Sequence, residues 1–206
     1  RNRFMGVFAG GLDPVSRDLL IAIGVAMLIA GAVIFALPAG RVPDGMRREL
    51  RRRWGTWAVI APLSVAGVLA GAGATALLVL SISLLGYREF ARGTGLFRDR
   101  VISVIFIVSV FALLFGAIDN RFSQFTAVAP IATVLIVVGR LVRDEPEGYL
   151  QSVSLGVVAV LMLAVGPAYL VMFTIDERSI PVLLSIFTAA AVGDVSAFLF
   201  GKLIGG

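Results

Sequence analysis

Between Arg53 and Arg88 lie 34 consecutive residues without a charge, Trp54 to Tyr87. A membrane-spanning helix takes about 20 largely apolar residues, with a workable range of about 17 to 25. The run is therefore too long for one ordinary span and slightly short for two. Gly67, Gly71 and Gly73 crowd its centre, which predicts a tight helical hairpin over 54–70 and 72–88 with Trp54 and Trp57 at the membrane interface. The same criterion gives further spans over 18–37, 100–118, 125–141, 150–173 and 180–203. Pro38 and Gly40 close the first of these, Pro130 sits early in the fifth span, and Gly166-Pro167 is expected to kink the sixth.

Composition agrees with this count. The chain is 59% hydrophobic and 15% charged with a mean hydropathy of +0.99, whereas soluble domains run near about 45–50% apolar and about 25% charged. The expected fold class is all-α, a polytopic integral membrane helical bundle of about seven transmembrane helices forming one transmembrane domain over 1–206. The first long apolar run starts near Leu19, is long enough to span and lacks an A-x-A-type cleavage site, so no cleavable signal is predicted. The start at Arg1 and the end at Gly205-Gly206, just after a span, predict a fragment of a longer membrane protein.

The chain has neither cysteine nor histidine. Disulfides, thiolate nucleophiles and zinc-thiolate sites are thereby excluded, as are the commonest general base and metal ligand. Chemistry must use carboxylates, Lys, Arg, hydroxyls or backbone. The pI near 10.7 does not point to nucleic acid, because the basic residues fall between apolar spans rather than along one soluble face. With seven spans, thirteen Lys and Arg lie on the side of segments 41–53, 88–100, 140–147 and Lys202, against five on the other. The first side is expected to be cytoplasmic, in the inner membrane of a bacterium.

Four stretches carry candidate chemistry. "RRELRRR", residues 47–53, reads as a topology anchor that touches anionic lipid, or as a site that captures a lipid phosphate through guanidinium forks. "YREFARG", residues 87–93, ends the third predicted span; Glu89 and Arg92 can pair there as on a solvated helix end, or Glu89 can buttress a polar cavity. "VRDEPEGYL", residues 142–150, groups Asp144, Glu145 and Glu147 at a turn, an ordinary solvated loop with a metal site as the alternative. "GDVSAFLFGK", residues 193–202, is the most informative. Asp194 is the only ionisable residue from Ile180 to Phe200, and an acid at bilayer depth costs roughly 2.5 to 3.5 kcal/mol on the insertion scale. Gly193, Ala197 and Gly201 recur every four residues as a small-residue face for helix packing. Asp194 lies beside that face and is expected to look into the bundle, roughly 12 Å from the level of Lys202 at 1.5 Å per residue.

The run from Asp194 through Ala197, Phe198, Gly201 and Lys202 to Gly205 resembles the D-x-x-A-[YF]-x-x-G-[KR]-x-x-G pattern of phosphatidate cytidylyltransferases, the CDP-diacylglycerol synthases. "RRELRRRW", the short hairpin and the "REF" that ends it are also similar to the amino-terminal part of that family. The family's S-P-x-K-T segment and its carboxy-terminal signature do not follow before Gly206, so the chain as it stands is expected to lack much of the active site. The resemblance implies transfer of a cytidylyl group from CTP to the membrane lipid phosphatidate, giving CDP-diacylglycerol and pyrophosphate, with Mg²⁺ as cofactor. On this resemblance Asp194 is expected to be the catalytic residue, lining a cytoplasm-facing cavity and helping to order metal, as its ligand, or water or a basic neighbour, with Lys202, Arg88 and Glu89 near the substrate. Such a reaction depends on positioning and charge neutralisation, so the absence of histidine is no obstacle.

Two other classes fit the residues. A transporter or channel also places an acid on a bundle-facing helix and uses broken spans, and would carry inverted repeats; a non-catalytic membrane scaffold would need no signature. CTP-dependent lipid kinases are the nearer competitor. Small-residue faces permit a homodimer without requiring one.

Overall fold

The computed structural model describes residues 14–36, 44–142, 147–175 and 180–204. Seven helices are named here in chain order: α1 Pro14–Ala36, α2 Asp44–Ala70, α3 Ala72–Thr94, α4 Arg100–Ile118, α5 Phe122–Leu141, α6 Tyr149–Phe173 and α7 Ile180–Ile204. No strand occurs among the described residues. Helices α1 to α6 are each long and apolar enough to cross a membrane, and α7 contributes a shorter apolar stretch, Ile180–Asp194. Their outward faces carry Ile21, Leu28, Val59, Leu77, Val104 and Ile131, all exposed. Lipid, not water, is the solvent such faces require. The chain is a polytopic helical membrane protein.

The break in the uncharged run falls at Gly71, whose φ of 99° is readily adopted only by glycine. Three helix limits differ from the sequence reading by four residues or more. Helix α1 begins at Pro14 rather than at 18, because proline suits a first helical turn. Helix α2 begins at Asp44, so "RRELRRR" is helical rather than a loop; Arg and Glu are good helix formers, and Glu49 and Arg53 pair four residues apart at 3.0 Å. Helix α3 runs on to Thr94, where Gly95 ends it with a φ of 80°. The irregularity expected at Gly166-Pro167 appears as a π-helical turn over Val160–Val165 inside α6. A proline lacks the N–H for the helical ladder and crowds the carbonyl four residues back, and a widened turn relieves both without ending the helix.

The helices group into two compact units. One holds α1, nearly all of α2, and α7; the other spans residues 70–177. In the first, α1 packs against α7. Helix α2 docks on α1 through Trp54, whose indole Nε1 donates to the Met27 carbonyl at 3.1 Å and whose ring lies over Gly31. A Cβ at Gly31 would fall 2.8 Å from that ring. Phe35 meets Trp54 edge-on at 5.4 Å, and the Arg51 guanidinium lies 5.1 Å from the centre of the Phe35 ring.

The second unit has the dense core. Phe106, Val110, Leu113 and Ala117 of α4 face Phe125, Val128, Ala132 and Ile136 of α5, with Val79 and Tyr87 of α3 and Ala159, Ala164, Ala168 and Val171 of α6 closing round them. The three- and four-residue spacing is that of a helix face. Glycine sets the closest approaches: a Cβ at Gly139 would lie 2.8 Å from Val101, one at Gly156 3.0 Å from Ile102, and one at Gly116 3.4 Å from the Phe125 backbone nitrogen.

Candidate functional site

Asp194 does not stand alone. It lies on α7 facing α2 of the same unit, and both of its oxygens are engaged. Oδ1 accepts from Arg53 Nη1 at 2.9 Å and Oδ2 accepts from Trp57 Nε1 at 3.1 Å. Arg53 also donates through Nε to Glu49 Oε1 at 3.0 Å. Glu49, Arg53 and Trp57 stand four residues apart, so one stripe of α2 presents all three. The guanidinium is thus bracketed by two carboxylates. The side chains of Arg53 and Asp194 keep 34% and 40% of their surface, enough for a small polar molecule to reach them.

This geometry answers the energetic problem of an acid in an apolar helix. A charge among apolar residues is tolerated when paired and hydrogen-bonded, and Arg53, the last arginine of "RRELRRR", supplies the pairing. The cluster read as a membrane-surface anchor therefore also reaches a neighbouring helix.

The other expected site residues are placed as follows. Lys202 lies on the helical backbone of α7, with its side chain outside the described residues. Arg88 and Glu89 are exposed on α3, in the other unit, where Glu89 lies 3.9 Å from Arg92. Gly193, Ala197 and Gly201 are exposed on α7, and a Cβ at Gly193 or Gly201 would meet nothing within 4 Å, so this face has no packed neighbour among the described residues. Asp144 and Glu145 lie outside the described residues, and Glu147 is exposed. No group of three or more carboxylates that could hold a metal occurs among the described residues.

Sequence reasoning missed a second charged pair, in the unit of residues 70–177. Arg140 Nη1 lies 3.1 Å from Asp99 Oδ2, with only 7% and 8% of the two side chains exposed. Asp99 also caps α4, its Oδ1 accepting from the backbone N–H of Val101 and Ile102 at 3.0 and 3.2 Å. Both residues were counted among loop charges. A signal for Arg140 was present: it extends the buried series Phe125, Val128, Ala132, Ile136 by one more helical step.

Fold and site together define an integral membrane protein with a paired carboxylate held between two of its helices. The chain belongs to the cytidylyltransferase family, whose model matches residues 51–206, and is by that membership a nucleotidyltransferase that uses CTP. Arg53, Trp57, Asp194, Asp99 and Arg140 all fall within the matched residues. No curated protein and no solved structure matches the chain.

Proposed function

We propose that the cytidylyl acceptor is phosphatidate, and that the protein acts in phospholipid synthesis by forming CDP-diacylglycerol. In this reaction an oxygen of the lipid phosphate attacks the α-phosphorus of CTP. The bond from that phosphorus to the bridging oxygen of the β-phosphate breaks, and pyrophosphate leaves with its electron pair. The observation that carries the reading is the engaged Asp194, inside the motif that resembles phosphatidate cytidylyltransferases, fixed by Arg53 and Trp57.

Membership of a family that uses CTP supports the donor, and an acceptor dissolved in the bilayer accords with a protein built of membrane-crossing helices. Asp194 holds the Arg53 guanidinium in one orientation, and a fixed planar guanidinium suits a pair of phosphate oxygens. Trp57 holds the second carboxylate oxygen, so the acid cannot swing away from its partner. Arg88, Glu89 and Lys202 remain substrate-contact candidates of this reading, and the arginine-rich side is its cytoplasmic face, where CTP is found.

Asp194 fits Mg²⁺ as a single hard carboxylate ligand rather than as half of a pair, because the Arg53 guanidinium lies between it and Glu49. Mg²⁺ commonly takes one or two carboxylates. Asp194 would hold the ion, with water and the substrate phosphates completing its shell. When bound, Mg²⁺ supplies neutralisation of charge on the phosphates.

The test is transfer of labelled CMP from CTP into lipid by the full-length gene product in detergent, with phosphatidate and Mg²⁺. Lipid-bound label that disappears with EDTA is the expected result. Label reaching a different lipid acceptor, or γ-phosphate rather than CMP reaching the lipid, would overturn the assignment of phosphatidate as cytidylyl acceptor.

A further inference from the structure

In the unit of residues 70–177, four helix ends meet at a polar cleft of about 330 Å³. It is lined by Thr94 at the end of α3, Arg98 and Asp99 before α4, Arg140 at the end of α5, and Gln151 and Ser152 in the first turn of α6. These ends place the cleft where spans meet the membrane surface rather than at mid-bilayer. Its volume is at the small end of the roughly 300–1,000 Å³ usual for ligand sites, suited to a head group rather than a whole nucleotide.

The charges of the cleft point to an anion. Arg140 is held within it by Asp99 and is almost wholly buried, so its guanidinium is positioned before any ligand arrives. Arg98 is exposed at the cleft with its guanidinium 5.6 Å from the centre of the Phe97 ring. Taken together Arg98, Arg140 and Asp99 leave one net positive charge. The amino end of α6 lacks a side-chain cap and opens at Gly148, itself a lining residue, which adds the partial positive charge of a helix start. Gln151 and Ser152 add neutral hydrogen-bonding groups.

Exposed apolar side chains flank the cleft, beside the exposed charges of Arg100 and Glu147. Phe97, Leu141 and Leu150, each next in sequence to the lining or to α6's first turn, are 56%, 66% and 78% exposed. A ligand held here by one anionic group would have greasy neighbours. A free triphosphate, with several negative charges and no apolar part, matches neither property. We infer that this cleft binds a phosphate monoanion, and specifically the phosphodiester of an anionic phospholipid, as a lipid site outside the Asp194 cluster. The phosphate lies against Arg98 and Arg140, and the acyl chains run along the exposed apolar faces.

The experiment is a native mass-spectrometry titration of the delipidated full-length protein in detergent with phosphatidylglycerol, with phosphatidylcholine and inorganic phosphate as comparison arms. The wild type should retain one tightly held phosphatidylglycerol per chain, about tenfold more tightly than phosphatidylcholine, which has the same phosphodiester but whose choline cation is repelled by Arg98 and Arg140. Arg98→Ala, at an exposed position, and Ser152→Phe, which fills the cleft, should each weaken that lipid about tenfold. Folding is checked for both by thermal midpoint, and Arg98→Ala carries the test if Ser152→Phe fails to fold. Retention unchanged in Arg98→Ala would overturn the site. Phosphate binding without retained lipid, weakened by the same substitution, would keep the anion chemistry and overturn the lipid as its source. CMP transfer is not the readout, so the outcome is separate from that of the proposed reaction.

Discussion

Two arginine–aspartate pairs of nearly equal length sit in opposite surroundings. Arg53 and Asp194 approach to 2.9 Å with 34% and 40% of their side chains exposed, whereas Arg140 and Asp99 approach to 3.1 Å with 7% and 8% exposed. The first pair joins two helices whose described faces bury few residues, notably Ser64 and Val68 on α2 and Leu183 and Leu184 on α7. The second lies against the densest core of the chain, next to Ile102 and Ile136 in their helices. A half-exposed pair contributes less to folding than a buried one, and its groups stay available to a reactant. A buried pair is different: halving it strands a charge, and the loss is large. Pairing distance alone therefore does not sort function from structure; the surroundings of the pair do.

The largest expected effect tests the buried side of that contrast. Arg140→Ala leaves the almost wholly buried Asp99 without its guanidinium and should cost about 3–5 kcal/mol, seen as a lower thermal midpoint in detergent. Replacing both partners, Arg140→Met with Asp99→Leu, should recover much of that loss, less about 1 kcal/mol for the missing cap of α4. A single Arg140→Ala variant as stable as wild type would remove the distinction between the two pairs.

The exposed side predicts the reverse signature. Asp194→Asn in the full-length protein should lower CMP transfer by about 100-fold or more, a magnitude typical of losing one fixed electrostatic contact at a reacting centre. Its thermal midpoint should fall less than that of Arg140→Ala, because the half-exposed Arg53 keeps Glu49 as a partner at 3.0 Å. Full activity in this variant would remove Asp194 from the site.

A third comparison concerns glycines on the two sides. Gly31→Val puts a branched side chain against the Trp54 ring, 2.8 Å from the built Cβ, and Gly156→Val drives one into Ile102 at 3.0 Å. Overpacking of this kind costs about 1–3 kcal/mol. Gly156→Val should lower stability with little change in transfer per folded molecule. Gly31→Val should lower transfer as well, because Trp54 fixes the stretch of α2 that carries Arg53 and Trp57. Equal effects of the two variants on transfer per folded molecule would show that α2 needs no such anchoring.

How much of this could be read in advance divides along the same line. The helices were legible because each leaves an uninterrupted apolar run, and the break at Gly71 because glycines interrupt the longest one. Asp194 was legible for the same reason, as the one charge in its run. Its partners were not, because Arg53 lies 141 residues away and sat in a cluster that surface electrostatics already explained. The i, i+4, i+8 spacing of Glu49, Arg53 and Trp57 was the available clue once the cluster is taken as helix. Asp99 and Arg140 were hidden because charges at span ends normally face water, and burial there depends on how four helix ends meet, which no single run encodes.

The smallest effects come from matched removals of one polar group in each unit. The Tyr87 hydroxyl pairs with Ser103 Oγ at 2.8 Å, while its ring stacks on Phe106 at 4.1 Å. Tyr87→Phe keeps the ring and deletes one hydrogen bond; Ser103 retains the Asp99 carbonyl at 2.9 Å, so no buried hydroxyl is stranded. The loss should be about 0.5–1.5 kcal/mol of stability, with CMP transfer unchanged. Trp57→Phe also keeps a ring and deletes one donor, but this donor fixes Asp194 Oδ2. It should lower transfer about tenfold, equivalent to a contact of about 1.4 kcal/mol, and leave stability nearly unchanged. If the tyrosine variant loses transfer and the tryptophan variant loses stability, the roles given to the two units are reversed.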